Sequence, residues 1–298
     1  MIATLWLACR RVQLPYGPVG ATFCDRVGCR GARGGARPAA QRRSRAGPRT
    51  GQHAIELPFS THLHWIETMA LREVLASGDG WGWLFVANEQ TAGRGRRGNA
   101  WWAGSGALTF SLVVDAERFG VPADCWPLLP LASGLAVRDV VAGELSDAGV
   151  TVKWPNDVYL NARKVAGILV EQREDCADRL VVGIGINVNT PMDDAPSELA
   201  DSAISMAGVS GASHDMVALL GGVLLRMELL LRRAVERRDE LIGKLNQHSY
   251  LNRRRVRLDL EDRSVWGECR GIAESGGLVL ATADGIQTFV GGTVGALQ

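Results

Sequence analysis

The chain reads as a mixed α/β (α+β) protein made of a larger domain of strands and helices followed by a small all-β domain. Two features predict this. From residue 59 onward, short apolar or alternating segments of strand type are interleaved with segments of helical spacing. The last fifty residues then hold only short strands separated by turn signals. A break in charge near residue 58 marks a third, unlike region at the N-terminal end.

Residues 1–58 carry ten arginines, no lysine and the acids Asp25 and Glu56, so 10 − 2 = +8, while the remaining 240 residues carry 23 basic and 30 acidic side chains, or −7. Residues 28–51 are rich in Gly, Ala, Arg and Pro and cannot bury enough apolar surface to offset their ordering entropy. Residues 1–58 as a whole are read as a disordered Arg/Gly/Ala-rich extension. Its arginines would suit nucleic acid or a transit peptide; against transit it has one serine, Ser44, and no clear amphipathic helix, and without periodic helices a helix-turn-helix is not expected. An extension without a function is the third reading.

In the body, residues 69–78 read as a helix closed by Gly78 and residues 83–87 as a short apolar strand. Residues 106–115 alternate as a strand. Residues 130–145 form a helix, with Leu131, Leu135, Val137, Val141 and Leu145 at helical spacing. Strands follow at 150–154, 164–172 and 179–188. A long helix covers about 215–236, with Val217, Leu220, Leu224, Met227 and Leu231 on its predicted core face. Residues 59–249 are taken as the larger domain. Residues 250–298 form the smaller one, a five-stranded β-barrel with hairpin dipeptides at Gly276-Gly277 and Asp284-Gly285.

Composition narrows the function. Hydrophobic residues make up 46% and charged residues 22%, a globular balance. The six cysteines form no C-x-x-C pair, against a disulfide framework or a zinc ribbon. No apolar run reaches the ~18 residues of a spanning helix, so a cytoplasmic protein without membrane segments is expected. Only Lys153, Lys164 and Lys244 are lysines, against thirty arginines, and two of the three fall within twelve residues. A lysine is a compact point charge where arginine is a planar fork, so this pair hints at work that a guanidinium cannot do.

Three segments carry the chemistry. In residues 88–102, Gly93, Gly95 and Gly98 let the backbone turn, while Arg94, Arg96 and Arg97 supply donors to an anion, with Trp101-Trp102 beside them as an apolar wall. A solvated loop or an RNA-binding Arg/Gly patch is the alternative. In residues 150–171, a strand delivers Lys153 to the turn Trp154-Pro155-Asn156-Asp157; an exposed strand-end lysine is the plainer reading. In residues 180–189, Gly183 and Gly185 lie inside a strand, which marks the close approach of a ligand or simply tight packing.

Together, GRGRRG at 93–98, KWPNDVYLNARKVAGILVE at 153–171 and GIGINVN at 183–189 closely resemble the bacterial biotin protein ligases, over about residues 59–298. The resemblance implies a mixed-sheet catalytic domain of the biotin/lipoate ligase type, followed by a small SH3-like β-barrel. It implies that ATP activates biotin to biotinyl-5′-AMP, with Mg²⁺, and that biotin then passes to a lysine of a biotin carboxyl-carrier protein. Lys153 and Arg96 take the catalytic roles. Glu67, Thr68, Met69, Gln90, Gly93, Arg94, Gly95, Arg96, Trp101, Lys153, Gly183 and Gly185 fall on biotin-binding positions. Arg94, Arg96, Arg97, Lys153, Lys164 and Asn187 fall on nucleotide positions, and no set of protein metal ligands is expected. Two positions depart from the family pattern: Glu67 stands where a serine is usual and Asn99 where an arginine is usual.

The partner implied is the carrier protein of a biotin-dependent carboxylase, with a homodimer left open and no nucleic acid, given the acidic body. A lipoate ligase of the same fold, a non-catalytic biotin-binding protein and a nucleic-acid binder acting through the arm are the alternatives.

Overall fold

The computed structural model describes residues 59–60, 84–87, 90–117, 120–146, 149–173 and 176–297. The arm, the helix expected at 69–78, and Glu67, Thr68 and Met69 lie outside the described residues. Residues Glu56–Gln298 make one compact unit.

In chain order the strands are β1 (Phe59–Ser60), β2 (Leu84–Ala87), β3 (Gln90–Arg94), β4 (Ala100–Ala103), β5 (Ala107–Asp115), β6 (Val150–Lys153), β7 (Asp157–Leu160), β8 (Arg163–Arg173), β9 (Cys176–Asn187), β10 (Arg255–Asp259), β11 (Ser264–Ile272), β12 (Leu278–Thr282), β13 (Gly285–Phe289) and β14 (Thr293–Leu297). The helices are α1 (Leu129–Glu144), α2 (Met206–Ser210), α3 (Met216–Glu236) and α4 (Arg238–Gln247). Seven strands form the main sheet in the order β1-β2-β5-β9-β8-β7-β6. The β1–β2 pair is parallel and the other pairs are antiparallel.

Strand alternation sends Leu108, Phe110, Val152, Val158, Ile168, Ile184 and Ile186 to one face, all of them buried. Helix α1 packs across β6, β7 and β8 on that side. Its predicted core positions Leu131, Leu135, Val137 and Val141 are all buried. The run Ala123–Glu144 is long and apolar enough to cross a membrane by length and composition, contrary to the sequence expectation. However, 67% of its apolar window is buried within the fold. It is the central helix of the core, apolar on nearly every side because α3 covers the side turned away from the sheet.

Helix α3 starts where the Asp215 carboxylate accepts from the amides of Val217 and Ala218, at 2.9 and 3.1 Å. Its core stripe is Leu219, Val223, Met227, Leu230 and Ala234. The predicted stripe was rotated from this one. Val217 is 49% exposed, and Leu220, Leu224 and Leu231 only flank the core. The run is leucine-rich on several sides, so spacing alone left the choice of face open.

The two strands flanking the glycine-arginine turn pair with each other as the hairpin β3–β4, outside the main sheet. The strand β7 and the helix α4 were not foreseen. The C-terminal strands form a five-stranded antiparallel sheet in the order β13-β12-β11-β10-β14, an open ladder rather than a closed barrel. Strand β10 begins a few residues past a turn that docks on β6: the Val152 amide donates to the His248 carbonyl and the Tyr250 amide to the Val152 carbonyl, each at 2.8 Å.

Candidate active site

The register of the main sheet builds the floor of the site. Ala87 on β2 pairs with Thr109 on β5, Thr109 with Gly185 on β9, Gly185 with Gly167 on β8, Gly167 with Asp157 on β7, and Asp157 with Lys153 on β6. Paired residues share a face, so these six positions form one row across the sheet, on the side opposite α1. Strands lie ~4.8 Å apart, so Thr109 and Lys153 stand roughly 19 Å from each other along the row. The row changes character along its length, from small and neutral, through two glycines, to charged.

Gly185 is needed because the Trp101 indole lies on it, whereas at Gly167 the tightest neighbour is the end of the Lys164 side chain, 3.2 Å from where a Cβ would stand. A Cβ on Gly185 would come within 2.6 Å of Trp101 Nε1, and one on Gly167 within 3.4 Å of the indole ring. The hairpin β3–β4 brings Trp101 to this place. Gly93 permits it, since a side chain there would collide with the Trp101 carbonyl.

A cleft of about 190 Å³ runs along the row. Of the residues singled out from sequence, Gln90, Arg94, Gly95, Arg96, Arg97, Trp101, Lys153, Lys164, Gly183 and Gly185 line it. Gly93 packs beneath Trp101 without lining the cleft. Asn187 is buried away from it, with its side-chain amide donating to the Ile204 carbonyl at 3.3 Å. Reasoning from sequence named Asn156 only as part of the turn after Lys153 and missed Thr109 and the C-terminal lip formed by Gly292, Thr293 and Val294, all of which line the cleft. Alternation in GALTFSLVVD already placed Thr109 opposite Leu108 and Phe110. No local signal pointed to the lip, which arrives from almost 200 residues beyond the loop.

The charged end is closely packed. Lys164 Nζ pairs with Asp157 Oδ1 at 2.7 Å and lies 5.6 Å from the centre of the Trp101 ring. Lys153 Nζ donates to the Tyr159 hydroxyl at 3.0 Å, and Tyr159 leans on Tyr250 with ring centres 4.8 Å apart. Burial holds the Lys153 ammonium below the usual lysine value, against the opposing pull of Asp157 and Tyr250. Burial first, then the charges of Asp157 and Tyr250, pushes the Tyr159 phenol up to about 12 in spite of Lys164. Tyr159 is therefore a neutral acceptor for Lys153.

Above the floor, the glycine-arginine turn closes on itself. The Gly95 amide donates to the Asn99 carbonyl at 2.7 Å and the Asn99 amide to the Arg96 carbonyl at 3.1 Å. Arg97 sits at φ 56 in the left-handed region, a conformation that costs roughly 1–3 kcal/mol for a residue with a side chain. Two side-chain bonds hold the turn down: Arg96 Nη1 donates to Asn156 Oδ1 at 3.4 Å and Arg97 Nη1 to Thr293 Oγ1 at 3.0 Å. Burial, and then Arg97, lowers the Arg96 guanidinium below its usual value, opposed by Asp157. Two adjacent guanidiniums and two lysines at one end of a cleft form a receptor for anionic oxygens. Arg94 pairs with Glu171 at 3.5 Å at the rim.

The C-terminal sheet also fixes the floor. Trp154, next to Lys153, is 2% exposed and its indole N–H donates to the Gly276 carbonyl at 3.0 Å. Among the described residues, no group of three or more His, Cys, Asp or Glu side chains is placed to hold a metal ion.

Comparison with known proteins agrees with this geometry. Residues 67–189 match the Biotin/lipoate A/B protein ligase family, and residues 254–294 match the Biotin protein ligase C terminal domain. The bifunctional ligase/repressor BirA of Bacillus spizizenii is 36% identical over 213 residues, which cover 69% of this chain and 63% of the relative. The chain thus spans somewhat under two thirds of the length of that relative. The biotin–[acetyl-CoA-carboxylase] ligase of Mycobacterium tuberculosis is 33% identical over 202 residues, covering 67% of this chain and 73% of the relative. Among solved structures, the biotin protein ligase from Aquifex aeolicus in complex with biotin and ATP superposes with a TM-score of 0.69 at 30% identity, covering 81% of this chain and 98% of that one.

Proposed function

The chain belongs to the biotin/lipoate A/B protein ligase family, and we propose that within it the chain is an ATP-dependent biotin protein ligase, forming biotinyl-5′-AMP and passing biotin to a lysine of a carboxylase carrier protein. The observation that carries this reading is the graded row Thr109–Gly185–Gly167–Asp157–Lys153. It offers an uncharged, flat-walled end to a neutral ring system and a cationic end to a carboxylate and a triphosphate. The Mycobacterium relative's being a biotin–[acetyl-CoA-carboxylase] ligase and the Aquifex structure's bound biotin and ATP support the same assignment.

In the first step a biotin carboxylate oxygen bonds to the α-phosphorus of ATP, the bond from that phosphorus to the bridging oxygen breaks, and pyrophosphate leaves. Two anions must meet, so the chain's work is neutralisation and alignment. Lys153, fixed at a strand end by Tyr159 and by the neighbouring Trp154–Gly276 bond, holds positive charge where the carboxylate meets the phosphate. Lys164, aligned by Asp157, and the guanidiniums of Arg96 and Arg97 face the phosphates. Mg²⁺ bound with ATP would be held chiefly by the phosphate oxygens and would add positive charge there, beside these side-chain cations. In the second step the carrier's lysine amine attacks the acyl carbon, the bond to the AMP oxygen breaks, and the amine gives up a proton as the amide forms. The acyl-adenylate must meanwhile be kept from water, which is the task of Arg96 and the turn that carries it. Gln90 and Trp101 bound the neutral end. The activity resides in Glu56–Gln298, consistent with its being one compact unit.

Incubation with biotin, Mg-ATP and a biotin-carrier domain, followed by streptavidin blotting, tests the proposal. The carrier should be labelled only when all three are present. No labelling with biotin, or a lipoylated carrier detected by mass spectrometry when lipoate replaces biotin, would overturn it.

A further inference from the structure

Thr109 is 5% exposed, lines the cleft, and its Oγ1 is buried without a hydrogen-bond partner. A buried hydroxyl left unpaired costs about 1–3 kcal/mol, and of the five such hydroxyls among the described residues, on Thr109, Ser111, Ser133, Thr151 and Thr190, that of Thr109 is the one on a residue lining the cleft. Its position shows what that partner is like. Thr109 sits on the row beside Gly185, and on Gly185 lies Trp101, whose Nε1 is likewise buried and unpartnered. Two orphaned polar groups, an indole donor and a hydroxyl that can donate or accept, therefore stand one strand spacing apart at the uncharged end of the cleft. Within the row itself the first charged residue from Thr109 is Asp157, three strands away, and the Lys164 ammonium reaches over Gly167, two strands away.

We infer that the Thr109 hydroxyl is a substrate-recognition group that hydrogen-bonds the uncharged ureido head of biotin at the end of the row remote from Lys153. This rests on the ligase reading above. A cyclic urea suits the place because it presents both a carbonyl acceptor and N–H donors without net charge. A hydroxyl matches either, and the adjacent indole N–H matches the carbonyl. Leu108 and Phe110, its neighbours in sequence, point into the core under α1, so Thr109 is the position on this stretch of β5 from which a hydroxyl meets the ligand beside Gly185.

Calorimetric titration of the full chain with biotin tests this, alongside ATP titration and thermal melting. Thr109→Val keeps the shape and removes the hydroxyl. Its biotin affinity should fall by about tenfold, its ATP affinity should stay unchanged, and its unliganded melting temperature should rise, because an unpaired buried hydroxyl has been removed. Thr109→Ser, which keeps the hydroxyl, should bind biotin within about twofold of wild type. Desthiobiotin, which keeps the ureido ring and lacks the sulfur, should lose affinity for Thr109→Val by the same factor. If wild type binds biotin and Thr109→Val binds it equally well, the inference is wrong while the ligase reading stands. If Thr109→Ser is weakened as much as Thr109→Val, packing rather than hydrogen bonding is at work and the inference is again wrong. If wild type does not bind biotin, the ligase reading itself fails.

Discussion

The floor of the cleft and the turn above it line one cleft and are held in different ways. On the floor, Thr109, Gly185, Gly167 and Asp157 are flanked on both sides by paired strands, so each position is set by two ladders. The turn from Gly93 to Asn99 belongs to a two-stranded hairpin outside the sheet, and its arginines reach the rest of the fold through Asn156 at 3.4 Å and Thr293 at 3.0 Å. The Arg97–Thr293 bond is exposed and falls in the class that adds little stability. In the proposed reaction this difference matches two jobs: alignment of reactants by the floor, which needs fixed groups, and retention of a reactive product by the turn, which needs a part that can open.

The largest effect should come from the charged end of the floor. Lys153→Ala should slow ATP–pyrophosphate exchange by about 10²–10³-fold, the loss typical of one preorganised electrostatic donor. Lys153→Arg should not restore it, because a planar fork cannot take the place of a point charge packed against Tyr159. Exchange within tenfold of wild type in Lys153→Ala would remove this lysine from the first step.

A smaller and different effect should follow from the turn. Arg96→Gly removes the bond to Asn156 and a cation over the adenylate, yet leaves the row intact. Exchange should stay within about tenfold of wild type while biotinyl-AMP escapes and labels exposed lysines of a bystander protein. Streptavidin blotting with an unrelated protein present reads this out. Were Arg96→Gly to abolish exchange while Lys153→Ala preserved it, the contrast between floor and turn would be reversed.

This contrast also governs how much the sequence revealed. Motifs that lie in strands were readable, because period-two alternation fixes a face: KWPND followed by AGILVE, and Gly183 with Gly185, all reach the cleft. The same rule should have exposed Thr109, which was passed over because a lone threonine in a strand carries no motif. Asn187 misled for a related reason. It continues the alternation beyond Gly185, but the chain has by then run past the cleft and the side chain turns to Ile204. The roles of Tyr250, Thr293 and Gly276 were illegible, since they depend on how the C-terminal sheet docks, and contacts across so many residues leave no local pattern. The open ladder of that sheet was hidden similarly: five short strands suit a barrel or a sheet, and pairing alone decides. Helix α3 showed its type but not its face, with leucines on too many sides.

The smallest predicted effect concerns pH and the Lys153–Tyr159 pair. Burial lowers Lys153 below the ordinary lysine value of 10.5, so its charge, and with it the first step, should be lost on the alkaline side before 10.5. Tyr159, pushed up to about 12, keeps its proton through that range and goes on accepting from Nζ. Tyr159→Phe removes the acceptor and leaves the ammonium as buried but less supported. The alkaline limb of ATP–pyrophosphate exchange should therefore move to lower pH, with little change in rate near neutrality. Stability should report the same pair with opposite signs. Tyr159 holds a proton between 10 and about 12 that the unfolded chain has released, so its contribution is complete below 10 and is lost as pH rises toward 12. Lys153 releases its proton before the unfolded chain does, so its contribution grows as pH rises toward 10.5. In Tyr159→Phe the loss of stability between pH 10 and 12 should be smaller than in wild type. An alkaline limb unmoved by Tyr159→Phe would show that Tyr159 does not support the Lys153 charge, leaving the floor's cation positioned by its strand and by Trp154 alone.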